Sequence, residues 1–409
     1  PSLFLLSLLV LSPLLHPTLS LPGTCLTGEQ FRNVMSQGKE AQRNHINKNC
    51  YAVNTKNLKK LFPNLESSHV VGEGGFGTVY QYTESNSLLF SSQLYEKDAS
   101  IAVKVTKDVS TEDVFLELNN SKCLAEFPEF WEKETSNLVV IDYCYYDGTK
   151  STREYYLTLK YYPYTLEDFI YETVPNMNYE HHMKLIMLVL SIQLNKMHER
   201  GLLHRDIKPA NVVLSERLVP HFIDFGTMSL DLENANSFVG TYTYMSPAVA
   251  RETKYKRKSD LFSLGLMFHN LIERNSGSHF QMLKDAHAPT KFKDKKFEDY
   301  ALNVNSLEWP DDLKFLGKLF KDAVKQENIL PEIITKLENL VVQEHAMLEK
   351  VKRKSYNVMT KQEKLQALKE MAVPASMREK SIFTNNNHRL RNQGLNRSMN
   401  GVTPRFELV

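Results

Sequence analysis

The chain lacks an excess of either charge. Fifty Lys and Arg against 48 Asp and Glu leave a formal net charge of +2, too little to draw it onto a polyanion, so nucleic acid is not an expected partner. It has only four cysteines, none in the Cys/His spacing of a metal site, and no internal repeat, which sets aside metal-nucleated domains and solenoids. Cys25 and Cys50 could pair in an oxidising lumen, whereas Cys123 and Cys144 read more simply as buried thiols. The first 28 positions contain no Asp, Glu, Lys or Arg, and Leu3 to Leu15 is almost continuously apolar. Three readings of this leader stay open: a signal peptide with Thr18 and Ser20 at cleavage spacing, the end of a membrane span, or a mistranslated stretch ahead of Met35. Localisation is secretory on the first reading and cytoplasmic on the last, with membrane association undetermined. Two glycosylation-type triplets, Asn119-Asn120-Ser121 and Asn396-Arg397-Ser398, are near what chance gives.

What is present suits a large folded domain. At 409 residues, 42% hydrophobic and 24% charged, the chain can bury a core for one domain of about 280 residues with flanks. After the leader over 1–20 comes a polar extension over 21–65, expected to be loosely ordered with one short helix, Leu58 to Phe62. From Val70 the pattern turns to strands: Val70-Val71, Val79 to Tyr82, Ile101 to Val105, Leu138 to Tyr146 and Tyr155 to Tyr161. One helix interrupts them, starting near Thr111 as its cap and running towards Phe127 before Pro128. Beyond Pro163 helices dominate, with central ones over Tyr179 to Arg200 and Asp260 to Ile272. A basic, Asn-rich tail over 373–409 has too few apolar residues to fold.

Four motifs carry chemistry. Gly72-Glu73-Gly74-Gly75-Phe76-Gly77 precedes β-type residues rather than a helix, so it is a glycine turn between strands and not a dinucleotide fingerprint. Ile101-Ala102-Val103-Lys104 sets a lysine on the next strand. His204-Arg205-Asp206-Ile207-Lys208-Pro209-Ala210-Asn211 and Asp224-Phe225-Gly226 place a base, a cation and two metal-ligand side chains on neighbouring turns. Together they resemble the catalytic loop and metal-binding turn of eukaryotic protein kinases. The resemblance covers residues 66 to 272 well and fades towards 372. It implies a two-lobed α+β fold, a small mainly β lobe with one helix and a larger α lobe, that uses ATP and Mg2+ to phosphorylate protein substrates.

The resemblance assigns roles residue by residue. Backbone amides from Gly72 to Gly77 cover the phosphates, and Lys104 meets the α- and β-phosphates. Val71, Val79 and Ala102 roof the adenine, Val213 floors it, and Leu159 and Tyr161 complete the nucleotide set. Asp206 is the base, Lys208 the cation on the transferred phosphoryl group, and Asn211 and Asp224 hold magnesium. Glu117 is preferred over Glu126 as the partner of Lys104, because Pro128 ends the helix close to Glu126. Lys208, with Gly240-Thr241 before Tyr244, resembles the serine/threonine branch, and Thr241 ties the substrate platform to Asp206 and Lys208.

The segment after Gly226 resembles that of MAP kinase kinases. Ser237 is therefore a candidate phosphosite for an upstream activating kinase, the alternative being an unmodified loop serine; a phosphate there would meet Arg205, with Glu233 supplying standing negative charge. One departure stands out. The family's Ala-Pro-Glu ending is Ser246-Pro247-Ala248 here, so the glutamate that pairs with a late arginine, Arg353 at best, is missing. Two alternatives remain: a binding scaffold without activity, or a secretory-pathway kinase acting on a sugar or other small acceptor.

Overall fold

The computed structural model describes residues 25–74, 77–83, 87–91, 100–106, 110–127, 130, 138–149, 154–171, 179–229, 239–246, 249, 255–274, 309–321 and 329–343. The leader, Gly75, Phe76, Glu233, Ser237, Ala248, Arg353 and the basic tail lie outside them. One compact unit holds Pro1–Asn339 and a second Leu340–Leu408; the architecture below is that of the first.

The polar extension is more ordered than its composition suggests. Helix α1 (Gly28–Gln37) and helix α2 (Lys39–Asn49) meet at Gly38, whose φ of 79° is a conformation that a residue with a Cβ rarely adopts. Strand β1 (Tyr51–Val53) then pairs in parallel with β5 (Ile141–Asp147), placing Tyr51 opposite Tyr145. Helix α3 (Thr55–Leu61) is capped by Asn54, whose side chain accepts from the Asn57 N–H at 2.8 Å and so satisfies one orphan donor of the first turn. Disulfides join Cys25 to Cys123 and Cys50 to Cys144. This corrects the expected Cys25–Cys50 pairing and the thiol reading of the other two. Cross-linking of distant segments supplies order that so polar a stretch cannot obtain from apolar burial alone.

β1 is the outermost strand of a six-stranded sheet in the order β1-β5-β6-β4-β3-β2, built with β2 (His69–Gly74), β3 (Gly77–Tyr82), β4 (Ile101–Thr106) and β6 (Tyr155–Lys160). All its other pairings are antiparallel. Alternation along the strands serves both faces. On one, Cys144, Tyr146, Tyr155 and Leu157 pack with Ile46 of α2 and with Val114, Phe115 and Leu118 of helix α4 (Thr111–Ala125). On the other, Tyr82, Ile101, Val103, Val105 and Tyr145 meet Leu58, Phe62 and Leu65. Burial of each such large side chain stabilises by about 1.5–3 kcal/mol.

Helix α4 begins one residue earlier than expected: Ser110 is the cap, its hydroxyl accepting from the Asp113 N–H at 3.1 Å, and Thr111 is the first helical residue. Glu112 and Asp113 occupy the first turn, where negative charge favours the helix N-terminus.

The second lobe is mainly helical. A three-stranded sheet of β7 (Tyr164–Thr165), β8 (Val212–Leu214) and β9 (Pro220–Phe222) carries the catalytic turns. Helix α5 (Leu166–Tyr171), helix α6 (Tyr179–Glu199) and helix α7 (Arg257–Glu273) support it. The expected two-lobed α+β architecture is the one observed, and among the described residues no helix is long and apolar enough to cross a membrane.

Candidate active site

Strand register decides which side chains share the face expected to meet the nucleotide. Val79 lies opposite Lys104, and Ala102 opposite Leu159. These four therefore share one face, on which each is only partly buried, while Ile101, Val103 and Val105 point into the core. The β2–β3 hairpin closes with Gly74 opposite Gly77. Gly77 has φ 127°, and a Cβ there would overlap the Val105 carbonyl, so only glycine lets the hairpin lie this close to β4. Val71 is exposed, and Tyr161 and Val213 are half-buried.

Lys104 Nζ lies 2.6 Å from Glu117 Oε1, the two side chains being 12% and 11% exposed. The Glu117 assignment follows, while Glu126 Oε1 instead accepts the Cys25 N–H at 3.0 Å. Burial works against the Lys104 charge, yet the carboxylates of Glu117 and Asp224 outweigh it and hold the ammonium above its ordinary pKa. A lysine kept fully charged in a dry cleft is suited to phosphate.

Asp206 is held from four directions. Oδ1 accepts from the Thr241 N–H and from Thr241 Oγ1, both at 2.7 Å. Oδ2 accepts from Asn211 Nδ2 at 2.9 Å and faces Lys208 Nζ at 3.1 Å. Lys208 also donates to Thr241 Oγ1 at 2.8 Å, so one hydroxyl bridges base and cation. Burial disfavours the carboxylate, but the Lys208 charge and these hydrogen bonds prevail, and the Asp206 pKa falls below its ordinary value. Gly240 makes the approach of Thr241 feasible. Its φ is 103°, and a Cβ would overlap the Arg205 carbonyl oxygen.

The catalytic loop hangs from α7. Asp260, fully buried, accepts from the His204 N–H at 3.0 Å and the Arg205 N–H at 2.9 Å while its Oδ2 lies 3.0 Å from His198 Nε2. These bonds hold Arg205 in a left-handed conformation, φ 71°, and its guanidinium lies 5.4 Å from the Tyr255 ring centroid. His204 sits between Phe222 and Phe225, and burial drives it below its ordinary pKa, so it is neutral at pH 7. Asp224 is also left-handed, φ 59°. Asn211 Nδ2 is engaged by Asp206, so its amide oxygen and the Asp224 carboxylate are the oxygens that could hold a cation. Such a pair suits magnesium, which keeps phosphate oxygens and water in the rest of its shell; among the described residues no cluster of three or more acidic, His or Cys side chains makes a self-sufficient metal cage.

Sequence reasoning missed three residues of α4. Asn119, Asn120 and Ser121 are 1%, 1% and 2% exposed, which rules out a glycan on this triplet, since glycans occupy surface positions. Each pins a different element instead. Asn119 exchanges hydrogen bonds with the Leu26 backbone at 2.8 and 3.0 Å. Asn120 Nδ2 donates to the carbonyls of Phe225 at 2.7 Å and Met228 at 3.0 Å. Ser121 Oγ accepts the Ile141 N–H at 2.6 Å. The available signal was three poor helix formers in the middle of a helix otherwise packed with apolar residues.

Residues 65–326 match the family model described as the protein kinase domain. Among curated proteins the chain is 27% identical to serine/threonine-protein kinase Tao of Drosophila melanogaster, over 70% of this chain and 27% of that protein. It is 27% identical to serine/threonine-protein kinase dst1 of Dictyostelium discoideum, over 66% and 36%. It is 29% identical to a G-type lectin S-receptor-like serine/threonine-protein kinase of Arabidopsis thaliana, over 53% and 24%. The chain thus spans only a quarter to about a third of the length of these relatives.

Proposed function

The chain belongs to the protein kinase family, and on that premise we propose that it transfers the γ-phosphoryl group of ATP to serine or threonine hydroxyls of proteins. The observation that carries this reading is the Asp206 carboxylate, ionised and joined to Lys208 and Thr241, in a molecule whose Lys104–Glu117 pair is already formed. Lys104 orients ATP by its phosphates. Asp206 accepts the proton of the acceptor hydroxyl, and Lys208 offsets negative charge on the group in transit, so positioning and charge compensation do most of the work. Asn211 and Asp224 would hold magnesium, which would neutralise further charge on the phosphates. The Thr241 bridge favours a protein acceptor over a small one.

Two disulfides support function in an oxidising compartment, as expected of a secretory protein. Phosphate placed on Ser237 by an upstream kinase would have to draw Arg205 from Tyr255.

The test is labelling of a generic protein substrate by the full chain with ATP and magnesium. Asp206→Asn is expected to lower turnover by about 10² or more, since a positioned base contributes roughly that factor. Equal labelling by wild type and variant refutes the role of Asp206, and ATP binding without labelling in either returns the chain to the scaffold reading.

A further inference from the structure

Helix α4 presents Glu117 to Lys104 and Asn120 to the turn that bears Asp224. It is also held by residues 25–50, besides its packing on β5 and β6. Cys25 is disulfide-bonded to Cys123, the Cys25 N–H donates to Glu126, and Asn119 exchanges two hydrogen bonds with Leu26. Phe31 stacks on Phe115 with centroids 5.8 Å apart, and the His45 ring meets Phe115 edge-on at 5.1 Å. The clamp is itself anchored, because Cys50 is bonded to Cys144 of β5 and β1 continues from it into the sheet.

We infer that residues 25–50 are a built-in clamp that sets the catalytic position of α4, with Asn119 and Cys123 as positioning residues acting through Glu117. The inference rests on the kinase reading for its consequence in turnover. The physical argument is one of rigid bodies. A helix carries its side chains with it, so contacts fixing residues 115, 119, 123 and 126 fix Glu117 and Asn120 as well. Asn119, fully buried, has its amide satisfied by the Leu26 backbone and, at 3.7 Å, by Cys123 Sγ. When α4 moves away from residues 25–50, that amide loses both Leu26 hydrogen bonds, the Cys123 sulfur moving with it on the same helix, which disfavours the displaced helix. The clamp thereby enlarges the fraction of molecules with Lys104 and Glu117 in contact, and apparent ATP affinity scales with that fraction.

Three perturbations separate covalent from hydrogen-bonded restraint. Asn119→Asp keeps both cross-links and replaces the amide donor by a carboxyl oxygen facing the Leu26 carbonyl. Cys25→Ser with Cys123→Ser removes one cross-link. Dithiothreitol opens this bond and the Cys50–Cys144 bond in the wild-type full chain, two electrons converting each disulfide to two thiols as one molecule of reagent closes to its cyclic disulfide. Each is expected to raise KM for ATP by about tenfold, the change for a competent fraction reduced to one in ten, while KM for the protein substrate holds. The same changes made on a Glu117→Gln background should produce no further rise, because the coupling passes through that side chain. A merely structural role predicts additive losses in the amount of active enzyme with KM unmoved. Hydrogen exchange is read in parallel on the oxidised and altered proteins. Faster exchange across 117–121 and 225–228 without global unfolding supports the clamp even if no substrate is labelled, an outcome that would refute only the kinase reading. Unchanged exchange there, or additivity with Glu117→Gln, overturns the clamp.

Discussion

Asn120 Nδ2 donates to the Phe225 carbonyl at 2.7 Å, so the helix that pairs with Lys104 and the turn that carries Asp224 move together. Asn120→Leu would leave the Phe225 and Met228 carbonyls without this donor in a dry interior, at a cost of about 1–3 kcal/mol. Thermal unfolding should shift down by several degrees. Turnover should fall further than the unfolded fraction explains, as measured at a temperature where circular dichroism shows the variant folded.

Glu117 on α4 and Glu126 at its C-cap have different duties. Glu117→Gln leaves Lys104 without its nearest charge partner and should raise KM for ATP and lower turnover together, by about tenfold or more in kcat/KM. Glu126→Gln retains an amide oxygen for the Cys25 N–H and should stay within about twofold. Steady-state kinetics of both variants, side by side, check the assignment.

Thr241→Val removes the hydroxyl between Asp206 and Lys208 and one of the interactions that depress the Asp206 pKa. Activity requires the ionised carboxylate, so it is lost as pH falls through that pKa. The variant's acid limb should therefore lie at higher pH than that of the wild type, with a lower plateau, in a profile of kcat/KM.

His45 offers a test of stability. Burial, with a smaller effect from Lys48, lowers its pKa from 6.5 to about 4, and its ring Nε2 lies 2.9 Å from Asn49 Nδ2. The unfolded chain takes up a proton below about pH 6.5 while the folded one resists until about 4, so stability falls as pH drops through that window and is unaffected above it. Solvent screening at this half-exposed site limits the loss to about 1–2 kcal/mol. His45→Gln should flatten that part of the curve of melting temperature against pH.

The candidate catalytic residues could be placed from sequence because the family's phosphoryl-transfer motifs have fixed spacing on short turns: Asp206, Lys208 and Asn211 lie within one loop, and their neighbour Thr241 follows a glycine that its backbone demands. Register on α4 was legible from Pro128, which argued against Glu126. Order in the extension was not. It comes from partners far along the chain, Cys123 and Cys144, and from a strand of only three residues, too short for any alternating pattern to show. Asn119-Asn120-Ser121 was open to misreading for a related reason: polar residues announce a hydrogen bond but not whether water or backbone receives it.

Strand β1 also sets an order of events. Tyr51 can find Tyr145 only after β2 to β4 and helix α4 have been made, so the earliest part of the extension must wait, unpaired, while the ribosome supplies its template. A parallel partner of this kind is a late arrival in assembly, since closing a long loop costs entropy before any contact offsets it. Until it docks, the backbone of β5 is an open sheet edge, able to recruit a strand from another copy. Shortening the chain to begin beyond β1 would make that transient edge permanent and leave a molecule that adheres to its neighbours.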